Sequence, residues 1–212
     1  MSYKPESIRI KLLSDTTFGC GEGTPGVVDV EIEHDQYGLP MLGGKALRGL
    51  LRDSWLTMEG QFRALSKAAV HIFGAPGDVD ERSILRIGDA QIEENTRQWF
   101  ISAVEREHHP ISPVSILDAL TTIRYQTSED RITGAPAHTT LRSIRVALRG
   151  LELVSPLSWL RQPTQEELQC LALALLATRH AGLNRSRGRG HLKMTLEGDL
   201  EKTRELAGGR RQ

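Results

Sequence analysis

The segment from Pro163 to Leu196 constrains this chain most, because it dictates a helix, a loop and a strand in one run. Thr164 and Glu167 form a T-x-x-E capping box, in which each side chain satisfies a backbone N–H near the other and so starts a helix. Leu168, Leu171, Leu175 and Leu176 recur at helical spacing and give that helix a buried face, a core face more simply than a catalytic one. Gly182 suits the C′ position that ends a helix. From Gly190 to Leu196 the pattern turns to strand. A helix delivered straight into a strand must pack its apolar stripe on a sheet.

Between the two lies Gly-Leu-Asn-Arg-Ser-Arg-Gly-Arg-Gly-His-Leu-Lys, residues 182–193. Arg185, Arg187, Arg189 and Lys193 supply positive charge with no acid among them, and His191 can add another. Gly188 and Gly190 alternate with the arginines, so the backbone can approach a ligand and offer its own N–H groups. Guanidinium groups suit bidentate contact with phosphate. A solvated basic turn would carry the same charges. The interleaving of glycine with arginine favours the phosphate reading.

Net charge is zero, with 27 basic and 27 acidic residues, which argues against binding nucleic acid by bulk charge and leaves room for a local basic groove. The charges are segregated: Glu22, Asp29, Glu31, Glu33 and Asp35 make an acidic stretch near the start. The longest apolar run, Leu171 to Ala177, is too short to span a bilayer, and the first residues lack the apolar core of a signal peptide. Cys20 and Cys170, the only cysteines, suggest neither a disulfide framework nor a zinc site. A cytoplasmic location is expected.

Elsewhere Ile8, Ile10 and Leu12 alternate with Arg9 and Lys11 as a half-buried strand. Residues 14–43, rich in glycine, read as a long flexible loop, with a brief strand at Val27 to Ile32. From Gly44 to Glu59, Leu47, Leu50, Leu51, Trp55 and Met58 form a helical stripe, with Lys45, Arg48 and Arg52 on a neighbouring face. Gly43 and Gly44 leave the first N–H groups of that helix open, which together with the cations makes a candidate anion site; a glycine-started surface helix would look the same. Residues 61–73 read as helix, residues 84–92 as strand and residues 98–104 as weakly amphipathic. His108-His109-Pro110 is read as a surface loop, since no further ligand completes a metal set. Residues 121–148, rich in Thr, Arg and Gly, suit a projecting hairpin, and Ser143 to Val154 reads as strand. The charged tail, residues 198–212, is expected to fray. The order strand, helix, strand, insertion, strand, helix, strand fits an α+β, ferredoxin-like or RRM-like domain over residues 1–197.

Four segments, in this order, resemble the RAMP superfamily, and specifically the backbone subunits of type III CRISPR effector complexes. GVVDVEIEHDQYGLPMLGGKALRGLLRD, residues 26–53, resembles the family's Gly-hydrophobic-x-Asp segment followed by G-x-P-x-(I/L)-x-G-x-x-(L/I)-(K/R)-G. Lys45 stands where members often carry a small hydroxyl residue. SILRIGDA, residues 83–90, is similar to a family strand ending in Asp-Ala. IRYQTSEDRITGAPAHTTL, residues 123–141, is similar to a thumb-like hairpin that follows an R-x-x-T-x-x-(D/E)-R pattern, here Arg124, Thr127 and Arg131. GLNRSRGRG is similar to the family's C-terminal glycine-rich loop.

The resemblance implies an RRM-like palm with long insertions that form a thumb-like hairpin at about residues 121–142. CRISPR RNA would run over the start of the helix at Gly44 and the Gly-Arg loop, with the thumb wedged between guide and target RNA. Implied partners are CRISPR RNA, target RNA, other RAMP subunits and the large subunit, with no membrane. RNA contacts would come from Lys45, Arg48, Arg52, Arg124, Thr127, Arg131, Arg185, Arg187, Gly188, Arg189, Gly190 and Lys193. Asp29 stands where target-cleaving members carry an Asp required for metal-dependent RNA cleavage, so a divalent cation, Mg²⁺ by expectation, would be held there; a solvated loop acid is the plainer alternative. Glu31, Glu33 and Asp35 alternate along the same segment and compete for that assignment. Two other functions stay open: a non-catalytic scaffold, and a repeat-processing endoribonuclease using a histidine among His34, His71, His138, His180 and His191.

Overall fold

A computed structural model describes residues 3–74, 83–127 and 140–208. Its main sheet is built from β1 (Ser7–Leu12), β2 (Leu85–Ile87), β3 (Gln91–Ile92), β6 (Glu152–Trp159) and β7 (Leu192–Leu196). Strand order is β2-β6-β1-β7, with every pairing antiparallel and β3 continuing beside β6. Helix α1 (Gly44–Met58) links β1 to β2, and α5 (Gln165–Ala177) links β6 to β7. Two split strand–helix–strand units sharing one sheet make the ferredoxin-like, RRM-like arrangement. The class is α+β.

Alternation along the strands sorts the two faces. Ile8, Ile10, Leu12, Leu153, Leu192, Met194 and Leu196 are buried and join one core with Leu47, Leu51 and Trp55 of α1 and Leu168, Leu171 and Leu175 of α5. Each such leucine contributes about 1.5–3 kcal/mol through the apolar area it buries. The opposite face carries Arg9, Lys11, Glu152 and Lys193, and Glu152 pairs with Arg9 at 3.3 Å and Lys11 at 3.0 Å.

The capping box forms as the sequence dictates: the Glu167 backbone N–H donates to Thr164 and the Thr164 N–H donates to the Glu167 carboxylate. The helix nevertheless ends at Ala177, because Thr178 turns to extended backbone and its hydroxyl donates back to the Ala174 carbonyl. Gly182 is therefore no C′ residue. It packs against loop backbone, where an added Cβ would lie 2.3 Å from the Thr17 carbonyl oxygen.

Other expectations change on folding. Val27 to Ile32 forms only isolated bridges, among them Val30 to Ile144, since its N–H and C=O groups are divided between Cys20, Glu22 and Thr24 of the preceding loop and Ser143 and Arg145 across from it. Residues 61–73 resolve into two short 3₁₀ turns, Glu59–Gln61 and Arg63–Leu65, and α2 (Ser66–Phe73). The weakly amphipathic stretch extends to α3 (Glu94–Glu105), and α4 (Pro113–Leu120) follows, started by Ser112 as N-cap and Pro113 in the first turn. Residues 143–154 are two strands, not one: β5 (Arg142–Ala147) pairs with β4 (Thr121–Gln126), and the Gly150 N–H then donates to Leu12, turning the chain into β6. The tail does not fray at residue 198: Asp199 caps α6 (Leu200–Leu206), whose Thr203 and Leu206 are buried and which packs against α5. Among the described residues no helix is long and apolar enough to cross a membrane.

Candidate nucleic-acid interface

The Gly-Arg loop is a closed excursion pinned at its base. His180 and His191 form a bridge with their rings stacked 5.1 Å apart, and the Ala181 N–H donates to Gly190 at 2.9 Å. The Gly190 N–H donates to the Asp15 carbonyl and the Leu183 N–H to the Thr17 carbonyl, both at 3.0 Å, so the loop after β1 carries it. Gly190 has φ of 72°, and a Cβ there would lie 2.0 Å from the Ala181 carbonyl oxygen; only glycine closes this base. Beyond it, Asn184 in left-handed conformation starts a 3₁₀ turn, Arg185–Arg187, that projects Arg185 and Arg187 into solvent.

Opposite stands the β4–β5 hairpin. Between hairpin and loop runs an open groove of about 750 Å³, lined by Thr127 and Arg142 on one side and Leu183, Asn184, Arg185 and Arg187 on the other. Among the described residues neither the Arg185 nor the Arg187 guanidinium has a carboxylate or hydrogen-bond partner. Nη1 of Arg189 is shielded from solvent, also with no hydrogen-bond partner there. The guanidinium-bearing residues Arg142, Arg185 and Arg187 line it together, so the groove suits a polyanion.

Asp29 sits beside Ser143, near the start of β5. Its Oδ2 accepts from the Ser143 N–H at 2.7 Å and the Ser143 hydroxyl at 2.9 Å. These bonds, the backbone one first, hold the carboxyl below its ordinary range, with Arg142 adding to the effect. Oδ1 has no partner among the described residues. The competing acids are all engaged. Glu31 is buried against Arg145 at 2.9 Å, Glu33 accepts from the Gly43 N–H at 3.0 Å, and Asp35 pairs with Arg97 at 3.1 Å. Among the described residues Asp29 and Glu33 each keep one carboxylate oxygen without a partner, and of the two only Asp29 lies beside β5.

Three sequence-predicted groups lie outside this groove. The start of α1 is no open anion site, because Glu33 takes the Gly43 N–H and Asp89 takes the Gly44 N–H at 2.7 Å. Two carboxylates already answer the positive end of the helix. Arg48 is turned inward and donates to the Phe73 carbonyl at 3.0 and 3.2 Å, closing the end of α2; Lys45 stays exposed and Arg52 half-buried. Lys193 lies on the open sheet face across from Lys11, not in the groove.

Arg124 pairs with Asp15 at 2.7 Å and so braces β4 against the residue that holds Gly190. Thr127 borders the groove, Gly188 is left-handed and exposed, and Arg131 lies outside the described residues. Arg142, Ser143 and Asp89 were missed by sequence reasoning. Their signal is placement across a hairpin or beside a helix start, which no local pattern shows. Of the histidines, His71 bonds Glu167 at 2.8 Å, His34 bonds the Asp35 carbonyl, His180 and His191 form the loop base, and His138 lies outside the described residues.

Among the described residues no three His, Cys, Asp or Glu side chains gather as a metal cluster. One free carboxylate oxygen still fits Mg²⁺, which commonly takes one or two carboxylates and completes its shell with water and phosphate.

No curated protein matches this sequence. Many solved structures share its fold, two of them chains of one kind of complex. A chain of the type III-B Cmr-beta complex bound to cognate target RNA is 10% identical, with TM-score 0.65 over 91% of this chain and 97% of that one. A chain of the apo Cmr-beta complex is 11% identical, with TM-score 0.65 over 92% of this chain and 97% of that one. The sequence profile of the RAMP superfamily matches residues 9–193. The hairpin inserted between β3 and β6 and the glycine-rich arginine loop before β7 lie within those residues, and the chain belongs to the RAMP superfamily.

Proposed function

We propose that this chain is an RNA-binding backbone subunit of a type III CRISPR effector complex, which holds the guide RNA and cleaves complementary target RNA through Asp29 with a divalent cation, Mg²⁺. The observation that carries the proposal is the groove between hairpin and Gly-Arg loop, with two unpaired arginine side chains on its wall, next to Asp29, whose chain neighbour Val30 lines the groove and whose carboxylate keeps one oxygen free. Family membership and the likeness to Cmr-beta chains, one in a complex bound to target RNA, agree with it.

Arg185 and Arg187 bind phosphates of the guide without reading bases, leaving sequence to base pairing. Target RNA, CRISPR RNA, neighbouring RAMP subunits and the large subunit are the partners. Asp29, ionised and fixed by Ser143, points Oδ1 at the target strand, where it orients a 2′-hydroxyl in line with the adjacent phosphate. The 2′-oxygen bonds to phosphorus as the bond to the 5′-oxygen breaks; the 2′-hydroxyl proton passes to water and the 5′-oxygen takes one from water, leaving a 2′,3′-cyclic phosphate and a 5′-hydroxyl. When bound, the cation stabilises negative charge developing on the phosphate.

The test is cleavage of target RNA by the assembled, guide-loaded complex, with and without Mg²⁺, comparing wild type with D29A. Loss of cuts in D29A and in chelator, with assembly and target binding intact, is the expected result. Unchanged cuts in D29A would leave a guide-binding scaffold, for which the Asp29–Ser143 bonds are a structural staple. Cuts that persist in chelator would point to a histidine reaction instead.

A further inference from the structure

Asp29 does not sit in free loop. The Asp29 and Val30 N–H groups donate to the Ser143 carbonyl at 3.0 and 3.2 Å, and the Arg145 N–H donates to the Val30 carbonyl at 3.0 Å. Val30 and Ile144 thus form a single parallel bridge, which holds residues 29–31 beside β5. The buried pair of Glu31 with Arg145, 2.9 Å apart, fixes the register of that contact, since a slip by one residue would expose both charges to the wrong face. Within this frame the Ser143 hydroxyl and N–H both go to Oδ2 of Asp29. One oxygen is held, and the other is left for substrate.

We infer that Ser143 is a positioning residue for Asp29: by occupying Oδ2 it makes the carboxylate a one-oxygen donor of fixed aim, borne on the hairpin. The inference rests on the catalytic reading of Asp29. It also means that the hairpin and the reacting carboxylate move as one unit, so an RNA that shifts β5 shifts Asp29 with it. Outer hydrogen bonds to a ligating group set its orientation, and their loss typically lowers activity or metal affinity by about 10–100-fold.

The test compares S143A, S143T and D29A in the assembled, guide-loaded complex. Target cleavage is followed across a Mg²⁺ series, and amide hydrogen exchange is followed over residues 27–31 and 141–146. S143A is expected to lower the cleavage rate about 10-fold and raise the Mg²⁺ needed for half-maximal cutting, with guide and target binding unchanged. Exchange over residues 29–31 should quicken in S143A, and S143T, which keeps a hydroxyl on an extended strand, should restore both readouts. If D29A loses cleavage while S143A cuts and exchanges as wild type, the positioning inference falls and the catalytic reading stands. If D29A cuts as wild type, the catalytic reading falls and takes this inference with it.

Discussion

Arg145 reaches Glu31 at 2.9 Å with both side chains almost wholly out of solvent, and its other nitrogen reaches Asp118 at 2.8 Å. A single guanidinium on β5 therefore ties the glycine-rich loop to α4. Thr121 and Thr24 complete the network, accepting from Arg145 and donating to Glu31. Replacing Arg145 by methionine leaves Glu31 buried and uncompensated. Breaking a buried pair from one side costs about 3–5 kcal/mol, so R145M should lower the urea midpoint of unfolding strongly, whereas E31Q, which keeps a hydrogen-bonding oxygen, should lower it less. Equal midpoints for R145M and wild type would show that the pair does not hold the loop.

Arg48 and Arg185 are both arginines of candidate RNA-binding segments, yet the structure gives them different work. R185A should weaken RNA binding and flatten its salt dependence by about 0.7 per lost phosphate contact, with little effect on melting. R48A removes donors from the Phe73 carbonyl and should lower thermal stability while leaving the salt slope unchanged. Filter binding at several salt concentrations, beside a melting curve, separates the two.

The two glycines of the arginine loop should also differ. Both are left-handed, which costs a residue with a side chain about 1–2 kcal/mol. A Cβ at Gly188 meets nothing within 4 Å, but one at Gly190 would strike the Ala181 carbonyl oxygen. G188A should therefore fold with a small loss of stability, and G190A should open the loop base and lose RNA binding as well.

Glu167 carries a pH dependence. Burial pushes its carboxyl up, but the Arg161, Thr164 and His71 hydrogen bonds together outweigh that and bring it from an ordinary 4.5 down to about 2. A folded value below the unfolded one means that the stabilisation is fully present above pH 4.5 and is lost as pH falls toward about 2. Unfolding midpoints measured through that window should drop more steeply for wild type than for E167Q.

The local patterns of the chain were enough to set the helices of the palm and their faces. The stripe at Leu47, Leu51 and Trp55 and the Thr164–Glu167 box act through neighbours three or four residues away, and both appear in the structure as written. The alternation at Ile8, Ile10 and Leu12 likewise marked the central strand. The interleaving of glycine with arginine marked the loop, whose glycines reflect a real backbone demand at Gly190, and the family resemblance drew attention to Asp29. What tertiary structure alone decided was which charges are free. Arg48, Glu31, Glu33 and Asp35 look as available in sequence as Arg185 and Asp29, but each is satisfied by a group brought to it by folding: a carbonyl of α2, an arginine of β5, an N–H of α1 and an arginine of α3. An ionic or hydrogen-bonding partner 10 to 114 residues away leaves no periodicity to read, because such contacts depend on the path of the whole chain and not on local spacing.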